Sequence, residues 1–368
     1  MGNQVSATAP ATVANLGCGL DILGFPLSGI QGLSEIKGDV VHAIRTNDFE
    51  GVRLERIVNN TGLPHLDLPL GPENVVEAVG NKVLKLSGET GYGIKLILEK
   101  NMRIGTGMGS SASSGVSGAV SVNALLDNPF PKDHPKMLEA VVYGEAVAIH
   151  GRQGADSGLP GHGDNALAAL LGGFVFIYNL DTYEHKRFEG GKNIYFVVAS
   201  PLDISSKTGE MRARLPSYTG DLARFSAGAL KKYIESDIPI DFSSVPYSTL
   251  GGNEMIIRVY LDGAMCLIDG IIGKNAQMLG RGMNNDRIVT PVRAKFIRGF
   301  HDVTEAALRA GAYGSTISGS GSALVSVTDD YNTAQRVARN KQDAFGRNGV
   351  ESKVYICQVD NVGARLID

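Results

Sequence analysis

Alternating apolar and polar residues predict strands at several places along the chain. These places are residues 5–13, 94–98, 174–178, 194–199, 256–260, 324–327 and 353–358. Apolar residues recurring every three or four positions predict helices over residues 116–126, 137–149, 222–233 and 303–310. Strands and helices interleave without a strict β-α-β period. The pattern therefore predicts an α+β fold with antiparallel or mixed sheets rather than a doubly wound parallel sheet.

A polar, glycine-containing stretch interrupts the apolar pattern at residues 181–192. It lies between the predicted strands 174–178 and 194–199. Its composition fits a hairpin turn and a domain junction equally well. The chain length of 368 residues is sufficient for two domains, so both interpretations stay open at this point.

Composition and charge narrow the class of protein. The 43% apolar and 20% charged content is ordinary for a globular protein. The net charge is −3 and the basic residues are scattered, so the sequence has no basic patch of the kind that binds nucleic acid or an anionic membrane. No apolar run reaches the ~20 residues that span a bilayer. Three scattered cysteines are too few for a disulfide framework or a metal cage. We therefore expect a cytoplasmic protein without nucleic-acid or membrane partners, with its oligomeric state, a homodimer included, left open.

One segment carries a specific chemical signal. Residues 104–115 (IGTGMGSSASSG) contain four glycines and four serines, and lie between the predicted strand 94–98 and the predicted helix 116–126. Free N–H groups and the positive dipole end at a helix start attract anions, and glycines let the backbone approach a polyphosphate. Neither the Walker A nor the Rossmann glycine pattern is present. The segment predicts a phosphate-binding loop, the alternative being a glycine-rich loop whose serines only cap the helix.

This loop resembles a known phosphate-binding motif. Residues 105–112 (GTGMGSSA) are similar to the motif P-x-x-x-G-L-G-S-S-A of the GHMP kinases, the superfamily of galactokinase, homoserine kinase, mevalonate kinase and phosphomevalonate kinase. Arg103 replaces the proline of the motif and Met108 replaces its leucine. Neither change affects the glycines or serines that would form the anion site.

Three further segments resemble motifs of the same superfamily, in the same order along the chain. Residues 10–21 (PATVANLGCGLD) resemble the N-terminal signature of homoserine kinases, with departures at Cys18 and Leu20. Residues 162–173 resemble the H-x-D-N segment of those enzymes and the glycine pair that follows it. Residues 314–322 (GSTISGSGS) resemble the third motif, a glycine loop that supports the first. The four matches together span most of the chain.

The resemblance implies a fold and a reaction. GHMP kinases join an N-terminal domain with a left-handed β-α-β crossover, an exception to the usual hand, to a C-terminal ferredoxin-like α+β domain. Their active site lies in the cleft between the two. On this basis we expect an N-terminal ATP-binding domain at residues 1–185 and a C-terminal domain at residues 186–368. The implied ligands are ATP, Mg²⁺ and L-homoserine, and the implied reaction is phosphorylation of the homoserine hydroxyl in threonine synthesis.

The motifs also imply roles for individual residues. The expected ATP-binding residues are Asn74, Gly105, Thr106, Gly107, Met108, Gly109, Ser110, Ser111 and Ala112. The expected magnesium ligands are Ser111 and Glu145. The expected homoserine-binding residues are Asn15, Asp21, Asn165, Arg212 and Arg293, and the residues expected to act in catalysis are Asn15, Asp164 and Arg212.

The choice of arginines rests on two segments and on the chemistry of the acceptor. Homoserine has a carboxylate, and the planar fork of arginine binds a carboxylate through two parallel hydrogen bonds. Residues 208–216 resemble the homoserine kinase segment T-k-x-x-R-x-x-L-P, which indicates Arg212 rather than Arg214. Residues 286–293 resemble the segment D-r-i-x-x-P-x-R, which indicates Arg293.

The role of Asp164 has two interpretations. Its position corresponds to the proposed catalytic aspartate of mevalonate kinases, which makes it a candidate general base, but it could equally be a structural hydrogen-bond acceptor. The first basic residue of the chain is Lys37, whereas mevalonate kinase and galactokinase carry a basic residue in their N-terminal segment. This favours homoserine over mevalonate and galactose, and it favours direct attack by the acceptor hydroxyl.

Two other functions fit part of the pattern. The first is a GHMP kinase that acts on a sugar or an isoprenoid precursor. The second is a catalytically silent relative that binds a ligand for regulation, although such a relative has no need of the magnesium site.

The assignment of Glu145 as a magnesium ligand depends on residues 151–161, which resemble an extra loop before the H-x-D-N segment.

Overall fold

The computed structural model describes residues 3–30, 35–91, 93–203, 208–236, 240–248, 250 and 253–367. The strands are β1 (Gln4–Ala9), β2 (Thr12–Asn15), β3 (Gly19–Gly29), β4 (Asp39–Thr46), β5 (Gly51–Asn59), β6 (Gly93–Lys100), β7 (Phe174–Ile177), β8 (His185–Phe188), β9 (Tyr195–Pro201), β10 (Gly314–Ile317), β11 (Leu324–Thr328), β12 (Ser352–Val359) and β13 (Arg365–Ile367). The helices are α1 (Val75–Ser87), α2 (Ser110–Leu125), α3 (Pro135–Asp156), α4 (Gly163–Leu171), α5 (Thr208–Ala213), α6 (Thr219–Ser236), α7 (Glu254–Ile272), α8 (Ala276–Asn284), α9 (Thr290–Arg293), α10 (Phe300–Arg309) and α11 (Tyr331–Arg347).

Four strands of the N-terminal half and the C-terminal strand β13 form a five-stranded sheet in the order β13-β1-β4-β6-β5. Its neighbouring strands are antiparallel except β5 and β6, which are parallel and joined through α1. This β5-α1-β6 unit is the β-α-β crossover that the resemblance implies, and its hand stays a prediction. Helix α2 packs on β1 and β4, so the glycine loop that precedes α2 is fixed to the sheet.

The second sheet has the order β10-β11-β9-β12-β3-β7-β8, and β2 pairs with β3 beside it. Within it, β9 to β12 are antiparallel neighbours in the order β10-β11-β9-β12, with α10 before β10 and α11 between β11 and β12. This is the strand order of a ferredoxin-like domain. Because β3 pairs with β12, the sheet continues from the C-terminal half into the N-terminal half.

The two largest apolar cores lie against the two sheets, and the core of the larger sheet contains residues of both halves. Helices α1 and α2 pack on the five-stranded sheet, α3 packs on α1 and α2, and α4 packs on β3 and β7 of the larger sheet. In the larger sheet, Phe25, Phe174 and Phe196 meet in the core, with Phe25 at ring-centroid distances of 4.9 Å from Phe174 and 4.5 Å from Phe196. No helix in the described part of the chain is long and apolar enough to cross a bilayer.

Most of the predicted elements are confirmed, with shifted ends. The strand predicted at 5–13 is two strands, β1 and β2, because Pro10 lies between them and has no N–H for a ladder. The stretch 181–192 contains the turn of a hairpin, in which β8 pairs with β7. The expected domain boundary falls inside β8, and the division into residues 1–185 and 186–368 stays a prediction.

The strand predicted at 256–260 is wrong, because these residues belong to helix α7. The side chain of Asn253 caps this helix by accepting a hydrogen bond from the Met255 N–H at 2.9 Å. The buried positions of α7 recur at helical spacing over five turns, which a five-residue alternation cannot outweigh. They include Ile257, Tyr260, Leu261, Ala264 and Ile268.

The segment 151–161 is only partly a loop. Helix α3 resumes after a break at Gly151, whose φ of 72° and ψ of 170° are not helical, and it ends at Asp156. Glycine tolerates this backbone conformation because it has no Cβ. The rest of the segment then leads to His162 and α4.

Candidate active site

The glycine loop connects β6 to α2 and adopts a backbone that glycine favours. Gly105, Gly107 and Gly109 have φ values of 70°, 75° and 66°. Gly109 is the N-cap residue of α2, and no described side chain caps this helix start. Ser110 and Ser111 lie inside the first turn rather than capping it. The first-turn N–H groups of α2 are therefore not used by a serine cap, which is the arrangement a phosphate-binding loop needs.

The second glycine loop lies directly against the first. The Ser318 hydroxyl donates to the Gly107 carbonyl at 2.6 Å, and the Ala323 N–H donates to the Thr106 carbonyl at 2.9 Å. A Cβ on Gly107 would lie 2.3 Å from the carbonyl oxygen of Ser318, so only glycine fits there. Residues 318–323 therefore support the phosphate loop from the C-terminal half, as the resemblance implies.

The N-terminal signature forms a sharp turn between β2 and β3. Asn15, Leu16 and Asp21 have φ values of 71°, 45° and 64°, which non-glycine residues rarely adopt. The Asn15 side-chain oxygen accepts from the Asp21 N–H at 2.9 Å, and the Leu20 N–H donates to the Tyr260 hydroxyl at 3.1 Å. These contacts hold Asn15 and Asp21 together. Such backbone strain concentrates at functional sites.

Asp21 and Arg212 form an ion pair. The Arg212 Nη1 donates to the Asp21 Oδ2 at 2.5 Å, and the His162 Nδ1 lies 3.6 Å from the Asp21 Oδ1. Two of the residues expected to bind homoserine are thus adjacent and paired with each other. Arg214, two positions further along, has its guanidinium over the Phe296 ring at 4.2 Å instead.

Arg293 is buried, with 4% of its surface exposed. Its Nη1 donates to the Gly319 carbonyl at 2.8 Å, while its Nε has no hydrogen-bond partner among the described residues. Burial lowers its pKa, and the charge of Asp21 opposes this change. Asp286 fixes the preceding turn by accepting from the Ile288 and Val289 N–H groups at 2.9 Å. The segment 286–293 thus carries a guanidinium that retains an unused donor.

Glu145 on α3 lies close to Ser111 on α2. Burial raises the pKa of Glu145 to about 7, a hydrogen bond from the Ser111 side chain opposes this rise, and the charge of Asp164 adds to it. The Oε1 atom of Glu145 has no hydrogen-bond partner among the described residues. An unpartnered carboxylate oxygen beside a hydroxyl fits a hard cation that prefers oxygen ligands.

The described residues include no group of three or more histidine, cysteine or acidic side chains that could hold a metal. Mg²⁺ in phosphoryl-transfer sites is commonly held by one or two side chains together with substrate phosphates. The pair of Ser111 and Glu145 therefore fits a magnesium ion that is shared with ATP.

Asp164 and Asn165 open helix α4. The Asp164 Oδ1 accepts from the Asn165 N–H at 2.9 Å, and the Asn165 Oδ1 accepts from the Thr12 hydroxyl at 2.7 Å. Burial raises the pKa of Asp164 to about 6, the charge of Asp21 adds to the rise, and the charge of His162 opposes it. A Cβ on Gly24 would lie 1.9 Å from the Asp164 carbonyl oxygen, so glycine at this position in β3 allows α4 to approach.

Asn74 has a local structural function. Its side-chain oxygen accepts from the Val76 N–H at 2.9 Å and caps α1, and its amide donates to the Pro69 carbonyl at 2.8 Å. Its predicted role toward the nucleotide stays a prediction.

Sequence reasoning missed a buried ion pair beneath the phosphate loop. Lys100 at the end of β6 pairs with Asp39 at the start of β4, and their exposed fractions are 1% and 0%. Lys100 also donates to the Ser110 hydroxyl oxygen at 2.6 Å. The two residues are 61 positions apart, and a lysine at a strand end is ordinarily a surface residue. No local pattern could have indicated the pair.

Comparison with known proteins agrees with this geometry. The family described as GHMP kinases N terminal domain matches residues 74–173, and the family GHMP kinases C terminal matches residues 267–346. A curated homoserine kinase of Arabidopsis thaliana is 32% identical over 99% of this chain and 85% of its own length. A homoserine kinase of Chloroherpeton thalassium is 28% identical over 99% of each chain.

A solved structure gives the same result. The crystal structure of homoserine kinase from Cytophaga hutchinsonii has a TM-score of 0.79 and 28% sequence identity, covering 100% of this chain and 98% of that one. The sequence and structural similarities therefore extend over both halves of the molecule and over every part of the candidate site. The chain belongs to the homoserine kinase family of the GHMP kinases.

Proposed function

We propose that the protein transfers the γ-phosphoryl group of ATP to the side-chain hydroxyl of L-homoserine, giving ADP and O-phospho-L-homoserine for threonine synthesis. One observation carries the proposal. Ser111 and Glu145 lie beside a charged cluster that contains Asp21, Asp164 and Arg212, and the charge of Asp164 acts on both Glu145 and Arg293. The proposed site for magnesium and phosphate would therefore lie next to a site that fits a zwitterionic amino acid.

On the nucleotide side, the N–H groups at the start of α2 would hold the triphosphate of ATP. Glycines at 105, 107 and 109 let the phosphates approach the backbone. Ser111 and Glu145 would hold Mg²⁺, which when bound neutralises charge on the β- and γ-phosphates. Glu145 would act in its ionised form, so a bound cation would lower its raised pKa.

On the acceptor side, the charges of the chain match the two ends of homoserine. The unused Nε of Arg293 and the guanidinium of Arg212 would bind the carboxylate. Asp21 would bind the ammonium group. The side chains of Asn15 and Asn165 would then orient the hydroxyl, since both are fixed by hydrogen bonds within the site. Positioning of this kind is the main contribution of a protein to phosphoryl transfer.

We favour direct attack by the hydroxyl, its proton passing to the transferred phosphate or to solvent. The Asp164 carboxylate already accepts from the Asn165 N–H, which fits a residue that fixes the start of α4. A loose transition state also requires little early deprotonation. The pKa of Asp164, about 6, leaves it ionised at neutral pH, so the alternative role as general base is chemically accessible and is tested below.

The proposal is tested by measuring ADP release from Mg-ATP with homoserine, mevalonate, galactose and shikimate as acceptors. We expect homoserine to have the highest kcat/KM. We also expect 3-aminobutan-1-ol, in which a methyl group replaces the carboxylate, to be a much poorer substrate, because it cannot accept hydrogen bonds from Arg212 and Arg293. Equal turnover of 3-aminobutan-1-ol and homoserine, or a preference for another acceptor, would refute the proposal.

A further inference from the structure

The buried pair of Lys100 and Asp39 is joined to the phosphate loop at several points. The Asp39 Oδ1 accepts from the Asn101 and Met102 N–H groups at 2.8 and 2.9 Å, at the entry to the loop. The Asp39 Oδ2 accepts from the Ser114 hydroxyl at 2.6 Å, in the second turn of α2. The carboxylate therefore connects both ends of the segment that carries the glycines.

Serines on α2 hold the Asp39 backbone as well. The Asp39 N–H donates to the Ser113 hydroxyl oxygen at 2.9 Å, and the Ser117 hydroxyl donates to the Asp39 carbonyl at 3.0 Å. This explains several of the serines after the glycine loop. They fasten the helix to β4 rather than facing a ligand.

The donors of Lys100 determine how two neighbouring serines are oriented. An ammonium group has three N–H donors and no acceptor. Besides the Asp39 carboxylate, Lys100 donates to the hydroxyl oxygens of Ser110 at 2.6 Å and Ser114 at 3.0 Å, and the Ser110 carbonyl at 3.2 Å shares one of these donors. Both serine oxygens must therefore accept, and each hydroxyl proton must point elsewhere.

The two serines differ in where that proton goes. The Ser114 hydroxyl donates to Asp39. The Ser110 hydroxyl has no such acceptor among the described residues, and Ser110 is the first residue of α2, next to Ser111. Its proton is thus the one that remains available to an anion at the start of the helix.

We propose that Lys100, held by Asp39, is a positioning residue that makes the Ser110 hydroxyl a hydrogen-bond donor to the phosphates of the nucleotide. The inference rests on the proposed function in one respect, which is that the loop binds the phosphates of ATP. It adds to that function a residue that touches no substrate and acts through Ser110. The ion pair beneath the loop then serves nucleotide binding in addition to stability.

The test is a double-mutant cycle on the affinity for Mg-ADP, measured by calorimetry. We expect Ser110→Ala to weaken ADP binding about tenfold, the order for a hydrogen bond to a charged group. We expect Lys100→Met to weaken it by a similar factor, and the double variant to bind no more weakly than either single variant. Non-additivity is expected because both changes remove the same hydrogen bond.

Two control variants separate positioning from general damage. Ser114→Ala removes a hydroxyl that also accepts from Lys100 but whose proton is used by Asp39. Lys341→Met removes another fully buried lysine, which donates to the Val197 and Leu324 carbonyls in the C-terminal half. Both should lower the unfolding temperature and leave ADP affinity unchanged. Adenosine, which has no phosphate, should bind all folded variants equally.

Lys100→Met leaves the Asp39 carboxylate buried without its partner, which is strongly destabilising. If it does not fold, the cycle is run with Lys100→Met in an Asp39→Asn background, where no buried charge is left unpaired. Three results would overturn the inference. They are an unchanged ADP affinity in Ser110→Ala, additive losses of affinity in the cycle, and equal losses of affinity in Ser110→Ala and Ser114→Ala. The readout is independent of homoserine, so a failed phosphorylation assay with an intact cycle would contradict only the proposed function.

Discussion

The region beneath the phosphate loop and the lining of the candidate cleft differ in how their buried charges are compensated. Beneath the phosphate loop, Lys100 and Asp39 neutralise each other, and both carboxylate oxygens and the ammonium have hydrogen-bond partners. In the lining of the cleft, Glu145 Oε1 at the proposed magnesium site and Arg293 Nε at the proposed acceptor site are buried without hydrogen-bond partners among the described residues. Burial raises the pKa of Glu145 and lowers that of Arg293, which shows that each charge is poorly compensated.

This difference distinguishes the residues that support the phosphate loop from the residues that would bind the ligands. A fully satisfied buried network is rigid, because each member would lose a hydrogen bond by moving. A buried charge without a hydrogen-bond partner lowers stability. Such a charge is retained where a bound ligand supplies the missing partner. We therefore expect substitutions in the lining of the cleft to reduce activity more than stability, and substitution of Lys100 to reduce both.

The largest expected effect is at the magnesium ligands. Ser111→Ala and Glu145→Gln should each lower turnover of Mg-ATP by more than ~100-fold, beyond the usual loss for outer-shell residues of a metal site. The fold and much of the nucleotide affinity should persist. The measurement is steady-state turnover across a magnesium titration, with Glu139→Gln on the exposed face of the same helix as control. Full activity of Ser111→Ala would show that the metal assignment is wrong.

The next effect concerns the acceptor. Arg212→Leu or Arg293→Leu should raise the KM for homoserine by ~10- to 100-fold and change the KM for ATP little, since a hydrogen bond to a charged group is worth ~1.5–3 kcal/mol. Arg214→Leu, which removes a residue stacked on Phe296, is the matched control and should leave both values near wild type. Equal changes in the two KM values would indicate a general distortion of the cleft instead.

Asp164 should have a smaller effect if it only positions α4. Asp164→Asn should lower kcat by less than ~100-fold, judged against the 10²–10⁴-fold typical of general acid–base catalysis. The measurement is kcat across pH 5–9 together with thermal unfolding of the variant. A larger loss at unchanged KM and stability, with the acidic limb of the pH profile removed, would make Asp164 the general base.

The last expected effect concerns the stability of the ligand-free protein as a function of pH. The folded pKa of Glu145 is about 7 against an ordinary value of 4.5, so its protonated form stabilises the ligand-free fold. This contribution is complete below pH ~4.5 and is lost as pH rises through about 7, on the order of 3 kcal/mol in total. Magnesium affinity should change in the opposite direction, because the metal requires the ionised form.

Chemical unfolding of the metal-free protein between pH 5 and 8 measures this directly. The unfolding free energy of wild type should decrease relative to that of Glu145→Gln as pH rises. Parallel profiles for the two proteins would show that Glu145 is not buried in an unfavourable environment.

The elements that could be predicted from the sequence are those determined by residues close together along the chain. Glycines at 105, 107 and 109 need left-handed backbone, and the predicted phosphate loop follows from them together with the helix pattern after residue 115. The break at Pro10 could also have been predicted, since proline cannot complete a strand ladder. Helix α11 was missed although Asp330, whose side chain accepts from the Thr333 N–H at 2.7 Å, is a readable cap signal.

Other features depend on contacts between distant parts of the chain. The pairs Lys100–Asp39 and Arg212–Asp21 are 61 and 191 positions apart, and no periodicity encodes them. Tyr260, which holds the backbone at Leu20, lies in a segment whose alternation resembled a strand. The residues of the site came from the resemblance to GHMP kinases, whereas the network that supports the loop required the structure.

The most direct test of the central claim is identification of the phosphorylated product. The protein is incubated with Mg-ATP and L-homoserine, and the mixture is followed by ³¹P NMR with proton coupling. We predict one new phosphomonoester signal, coupled to a CH₂ group and formed in equal amount to ADP. Inorganic phosphate alone, or no loss of ATP under conditions where the protein binds ADP, would contradict the account.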